Sequence, residues 1–242
     1  MNLDIYSFSG VGNRSINEDS YDVRKENDRC IMVLCDGLGG HDCGEVASGY
    51  VAEQTAKGLG VLTEISKDSI HALVDAVNDK IVEMQPKKPE WNGMRTTLVG
   101  CVFENEKMSY FNSGDSRFYY FRNGSLYKMT TDHSASQVAL KMGDIDDIRK
   151  ADNRNMLFKV IGNENPNRSH MSDVYEPIDC QPGDAFLLCS DGFWEYVYED
   201  EMAIDLSKSD TGEDWVKFML VRLLLRMTGD NDNYTVIGGI IK

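Results

Sequence analysis

Apolar and polar positions along the chain fall into blocks that predict its elements. Residues 3–8 read as a strand, and Cys30-Ile31-Met32-Val33-Leu34-Cys35 is a continuous apolar run, the pattern of a buried strand over 29–35. From Glu45 the period changes: Val46, Ala47, Tyr50, Val51, Gln54 and Leu59 predict a helix, with Gly44 allowing a tight turn into it. Ile70, Leu73, Val74, Val77, Ile81 and Met84 recur at helical spacing over 68–84, and Pro86 and Pro89 stop that helix. Four strands follow, 96–103, 107–113, 117–122 and 125–129, with Asn105 and Asn123-Gly124 as tight-turn residues. They predict an antiparallel meander with local connections. Residues 134–165 are polar with weak helical patterning and read as a mobile segment carrying short helices. Strands are expected at 174–178 and 184–190, a helix at 213–227 and a last strand at 234–241. Two sets of antiparallel strands separated by long helices suggest packed sheets covered by helices.

Four of these apolar stretches meet an aspartate. The Cys30–Cys35 run stops at Asp36, residues 108–114 at Asp115 and residues 185–190 at Asp191, while Asp232 sits just before Tyr234-Thr235-Val236-Ile237. Strand ends in shared sheets bring such carboxylates together. A bare cluster repels itself and takes up protons. A hard divalent cation removes that repulsion, since Mg²⁺ and Mn²⁺ favour oxygen ligands. Each aspartate taken singly also fits an ordinary turn.

Composition narrows the function classes. The 242 residues carry 40 acidic against 25 basic side chains, a net charge of −15, which disfavours nucleic acid or an anionic membrane as main partner. No apolar stretch approaches a membrane span, and the first residues show no secretory pattern. The six cysteines form no C-x-x-C pair and read as small buried hydrophobes of a cytoplasmic protein. No repeat or low-complexity linker divides the chain, so residues 1–242 read as one domain.

The chemistry-bearing segments are short. Arg14 precedes Glu18 and Asp19; its planar fork suits a phosphate, or an ordinary surface ion pair. Asp36-Gly37-Leu38-Gly39-Gly40-His41 follows a strand directly, and its glycines let the backbone approach a ligand, so that a carbonyl joins Asp36 as an oxygen donor. It lacks the Lys-Ser/Thr of a P-loop and the spacing of a dinucleotide fingerprint. Asp230-Asn231-Asp232-Asn233 lacks the Gly and Glu of an EF-hand. Asp132-His133-Ser134 does not make a catalytic triad, because adjacent side chains rarely point at one another. His71 is expected to be solvated on its helix, His170 in a polar loop, and His41 structural at the start of the helix after it.

In order, Arg14–Asp19, Val33–Ser48, Thr96–Thr97, Gly114–Arg117, Thr131–Ser134, Ser190–Gly192 and Asp232–Thr235 resemble the motifs of the PP2C (PPM) family of metal-dependent protein serine/threonine phosphatases, in its compact bacterial form. The resemblance implies an α+β fold, a four-layer αββα sandwich of two antiparallel sheets flanked by helices. It also implies a flap at about 135–170. It implies hydrolysis of phosphoserine and phosphothreonine by a water bridging two Mn²⁺ or Mg²⁺ ions, reversing a bacterial Ser/Thr kinase. Asp36 would bridge both ions with the Gly37 carbonyl on one, Asp191 and Asp232 would complete the other, and Glu18 would serve the second ion. Asp19 would support from behind. Asp115, with Asp191, would hold a weaker third ion, and Arg14 would grip the phosphate. The partners implied are phosphorylated proteins, including a kinase, met by a monomer. Leu38 departs from animal members, which carry a histidine there, and leaves the proton donor open. Three rivals remain: a catalytically dead phosphoprotein binder, an acidic cation-binding domain, and a phosphoesterase of small molecules. The first must explain the intact Arg14, Asp36, Asp191 and Asp232, and the second the glycine turn.

Overall fold

The structure is a computed structural model that describes residues 2–26, 28–38, 43–151, 154–164 and 169–242. Strands β1 (Leu3–Gly10), β2 (Asp19–Glu26) and β3 (Arg29–Leu38) lead to two 18-residue helices, α1 (Gly44–Val61) and α2 (Lys67–Met84). Ser66 caps α2 by accepting from Ser69 N–H, and the two prolines that follow are set in short 3₁₀ turns. Next come β4 (Arg95–Thr96), β5 (Leu98–Glu104), β6 (Lys107–Ser113), β7 (Arg117–Arg122), β8 (Ser125–Met129) and α3 (Ala135–Met142). The chain ends with β9 (Asp173–Val174), β10 (Ile178–Asp179), β11 (Ala185–Cys189), α4 (Asp191–Trp194), α5 (Glu199–Leu206), α6 (Gly212–Arg226) and β12 (Tyr234–Ile241).

Among the described residues the strands form two antiparallel sheets. One runs β1-β12-β11-β7-β8; the other runs β10-β6-β5-β3-β2, with β4 on β3 and β9 on β6. Side-chain alternation then sets the layers. Met32, Leu34, Val99, Cys101 and Tyr110 meet Phe118, Tyr120, Phe186, Leu188 and Ile237 between the sheets. The opposite faces, with Ile31, Val33 and Cys35 on one sheet and Tyr119, Phe121 and Leu187 on the other, pack under α1–α2 and α5–α6. The result is the four-layer αββα sandwich expected.

Several local expectations are corrected. The four central strands are not one meander: β5–β6 and β7–β8 are separate hairpins in different sheets. The chain crosses between them at Gly114, whose φ of 101° is open to glycine. The predicted 96–103 strand is split into β4 and β5, both on β3, and 174–178 is split into β9 and β10, both on β6. Strand β2 was not expected, because its charged residues hide the period; it is an edge strand whose alternate residues are exposed. Asn105 and Asn123 do adopt positive φ, as their hairpins require. The glycines and histidine at 39–41 lie outside the described residues.

Candidate active site

Three strand ends and one crossing converge on a cleft of about 160 Å³. Arg14, Glu18, Asp36, Gly37, Asp115, Asp191 and Asp232 all line it. The sheet register explains part of this: Asp19 pairs with Asp36 across β2 and β3, and Cys189 pairs with Val236 across β11 and β12, which brings Asp191 beside Asp232. Asp36 is pinned by its main chain, its N–H donating to Thr97 Oγ1 at 2.9 Å and its carbonyl accepting from Thr97 N–H at 2.8 Å. Asp115 is held by Trp194, whose indole N–H donates to its carbonyl at 2.9 Å. Glu18 is held by Asn233, whose side-chain carbonyl accepts the Glu18 N–H at 2.8 Å. Gly37 has no room for a side chain, since a Cβ there would stand 2.5 Å from the backbone of Gly44 and 2.8 Å from the Glu18 carbonyl.

The electrostatics are those of a crowded acid cluster. Burial, then Asp191, Asp19, Asp115 and Asp232, push the Asp36 carboxyl well above the usual range. Asp36 keeps an opening to the cleft but is enclosed by protein on its other sides. Asp115 is driven up by burial and by Asp191, and Asp191 by burial and Asp232, with a hydrogen bond from Asp36 opposing that rise. Glu18 is raised by burial and by Glu45. Asp19 lies behind them, 7% exposed, accepting from Ser190 Oγ at 2.8 Å, and burial lifts it to about 7. Oδ1 of Asp191 and Oδ1 of Asp19 are buried with no hydrogen-bond partner. Arg14 sits at the rim, its Nη2 2.7 Å from Asp232 Oδ2, with its side chain 57% exposed.

Among the described residues, no three or more His, Cys, Asp or Glu side chains are arranged as a finished metal shell. Asp232 is turned to Arg14 instead. The donor set nonetheless suits a hard cation: every donor is oxygen, the acids are raised by one another, and a buried carboxylate oxygen in the cluster has no partner.

The remaining sequence candidates fall elsewhere. Asp132 makes a bidentate pair with Arg117 at 2.9 and 2.7 Å, and Ser134 caps α3, so no triad forms. His71 is buried, not solvated, because it stacks on His170 and meets Ser172. Asn155 and Leu157 also line the cleft; as isolated residues in a polar stretch they carried no periodic signal. Asn233 was missed as well, although its place beside Asp232 before the last strand offered a hint.

The pattern of the protein phosphatase 2C family matches residues 9–225. The chain belongs to the protein phosphatase 2C family. Curated relatives include a serine/threonine phosphatase of Listeria monocytogenes, 30% identical over 93% of this chain and 90% of its own. Another is the serine/threonine protein phosphatase PstP of Mycobacterium tuberculosis, 29% identical over 93% of this chain and 42% of its own. Among solved structures, the Staphylococcus aureus serine/threonine phosphatase Stp1 superposes with a TM-score of 0.88 at 26% identity, over 100% of this chain and 96% of that one. The phosphatase 2C fold thus accounts for the two sheets and their helical covers. Among the described residues, no helix is long and apolar enough to cross a membrane.

Proposed function

We propose that this phosphatase 2C chain hydrolyses phosphoserine and phosphothreonine in proteins, with two Mn²⁺ or Mg²⁺ ions and a weaker third held by the cleft acids. The single observation that carries this reading is the convergence of Arg14 with six oxygen donors, from Glu18, Asp36, Gly37, Asp115, Asp191 and Asp232, in one cleft. Asp36 with the Gly37 carbonyl, Glu18, Asp191 and Asp232 would hold the two core ions, and Asp115 with Asp191 the third. Such ions, when bound, would acidify a cleft water and polarise the phosphoryl oxygens.

The chain's own groups do the rest. Arg14 exchanges Asp232 for the substrate phosphate, which fixes the phosphoryl group and frees Asp232 as a donor. Asp19 holds the acid cluster from behind through Ser190. A cleft water would attack phosphorus and give up a proton to the surrounding water, the bond from phosphorus to the serine or threonine oxygen would break, and the leaving alkoxide would take a proton from cleft water, since Leu38 has none to give. Asn155 and Leu157 form the wall against which the rest of the substrate lies. Its substrates would include proteins phosphorylated by a Ser/Thr kinase, in the cytoplasm, with the phosphatase acting as a monomer. Turnover of a phosphothreonine peptide tests the reading. A chelator should abolish it and Mn²⁺ restore it; full activity in metal-free protein would overturn the mechanism.

A further inference from the structure

A second cavity, of about 520 Å³, opens between the start of α2 and the segment around β9. Its walls carry Lys67, His71, Lys159, His170, Ser172 and Asp173. In a chain of net charge −15 with four histidines, two lysines and two histidines thus face Asp173 around one cavity, with Asp75 paired to His170. Lys67 is the first residue of α2, so the positive end of an 18-residue helix adds to the field.

The donors are held in place. His71 is 6% exposed, and its Nδ1 stands 3.3 Å from Ser172 Oγ. Its ring stacks on His170 with centroids 4.0 Å apart, and His170 Nδ1 lies 2.8 Å from Asp75 Oδ2, which fixes the outer ring. Lys159 Nζ donates to Asp173 Oδ1 at 2.7 Å.

The cavity is wired to the cleft. Asp173 Oδ2 lies 3.1 Å from His133 Nε2, at ion-pair distance but not aligned as a hydrogen bond. His133 Nδ1 accepts the Gly114 N–H at 3.1 Å, and the His133 N–H donates to the Gly114 carbonyl at 2.9 Å. Gly114 is the residue before Asp115. An anion that draws Lys159 away leaves Asp173 to His133 alone, and so bears on the turn that carries Asp115.

We propose that this cavity is a second oxyanion site that takes a phosphate group, and that its occupancy reaches the Asp115 turn through Lys159, Asp173 and His133. Lysine ammonium, imidazole and hydroxyl donors around one cavity suit a compact multivalent oxyanion. The choice of phosphate rests on the phosphatase reading. It has two sources there: phosphate released by the reaction, or a second phosphorylated residue of the same substrate.

The binding test needs no turnover. The imidazole proton signals of the full chain, assigned by single His→Gln variants, are followed during titration with inorganic phosphate, with sodium chloride at matched ionic strength as control. Phosphate should shift the His71 and His170 signals saturably and chloride should not, and Lys67→Gln with Lys159→Gln should weaken the binding about tenfold or more. If free phosphate leaves them still but a peptide with two phosphothreonines moves them more than a singly phosphorylated one, the ligand is the substrate's second phosphate. No shift with either probe, or unchanged binding in a double variant with native circular dichroism, overturns the site. The link to Asp115 is read from inhibition of aryl phosphate turnover by phosphate, or by the doubly phosphorylated peptide where that is the ligand. It should lower kcat as well as raise KM, with the kcat effect missing in Lys67→Gln. A purely competitive pattern overturns the link. Loss of the His71 and His170 shifts with Mn²⁺-dependent turnover intact would sink this site and leave the phosphatase reading standing.

Discussion

Asp36 and its neighbours fix how stability should follow pH. Asp19, raised to about 7, and Asp36, also raised by burial and its acidic neighbours, favour the folded chain when protonated. An acid raised on folding contributes stability that is complete below its unfolded value and is lost as pH rises through its folded one. The metal-free protein should therefore lose stability, on the order of a few kcal/mol, between pH 5 and 8. Acids held low by partners, such as Asp173 beside His133, act only below that window. Urea midpoints in chelator at the two pH values check this, and a flat profile would count against the cluster. Asp36→Asn should abolish turnover at saturating Mn²⁺ yet flatten that loss, because it removes a charge the others repel. Near wild-type rates would refute its role. Arg14 gives the opposite signature. Its pair with Asp232 is exposed and contributes about 0–1 kcal/mol, so Arg14→Ala should hardly change stability. It should lower kcat/KM about a hundredfold while Mn²⁺ affinity by calorimetry stays equal or tightens. Lost metal binding with normal turnover by the loaded enzyme would make it a structural ion pair.

The cleft is assembled where β3 and β11 end and β12 begins, and those places were legible because buried strands read as unbroken apolar runs flanked by an aspartate. What joins them was not legible. Strand β2 carries Glu18 to its place, but its alternating charges look like surface loop. Helix α5 starts with Glu199, Asp200 and Glu201 and has little apolar periodicity, so it too was hidden. The crossing at Gly114 cannot be read from strand periods, which do not tell which sheet a strand joins. Asn233 is the main hidden joint. Beyond holding the Glu18 N–H, its amide donates to the carbonyls of Val11 at 2.8 Å and Ile16 at 3.0 Å, tying the Arg14 loop to the start of β12. Asn233→Ala would remove these three part-buried hydrogen bonds, each worth about 0.5–1.5 kcal/mol. It should also weaken Mn²⁺ binding, since the Glu18 main chain loses the side chain that ties it to the start of β12. Chemical denaturation and calorimetry read the two effects; a stable variant with full metal affinity would show the loop is held by other contacts. Gly192→Ala should act on the same joint, for its Cβ would stand 2.1 Å from the Asn233 carbonyl.

The sandwich as a whole holds the acids on rigid strand ends and leaves one long connection beside them. Between β8 and β9 the described chain folds as α3 and a 3₁₀ turn at 148–150, with Asn155 and Leu157 reaching the cleft. Two arginines tether it to the helical layer: Arg149 bonds the Trp194 carbonyl at 3.0 Å and pairs with Glu199, and Arg154 lies 2.7 Å from Glu195. Its outer side exposes Met142, Met156 and Phe158, large apolar groups that contact with a protein substrate would cover. None of the acids that line the cleft lies in it. Such a connection should select phosphoproteins and take little part in the chemical step. Exchanging residues 140–155 for those of another phosphatase 2C member should change relative rates among phosphopeptides and phosphoproteins by about tenfold or more, which alters how substrate is held and not how phosphorus is attacked. Hydrolysis of a small aryl phosphate, too short to reach Met156 or Phe158, should change far less. Each rate is measured at saturating Mn²⁺ on protein with native circular dichroism. If the exchange abolished aryl phosphate turnover in folded, metal-loaded protein, Asn155 or its neighbours would belong to the catalytic machinery, and this division between a fixed acid cluster and a selective wall would be wrong.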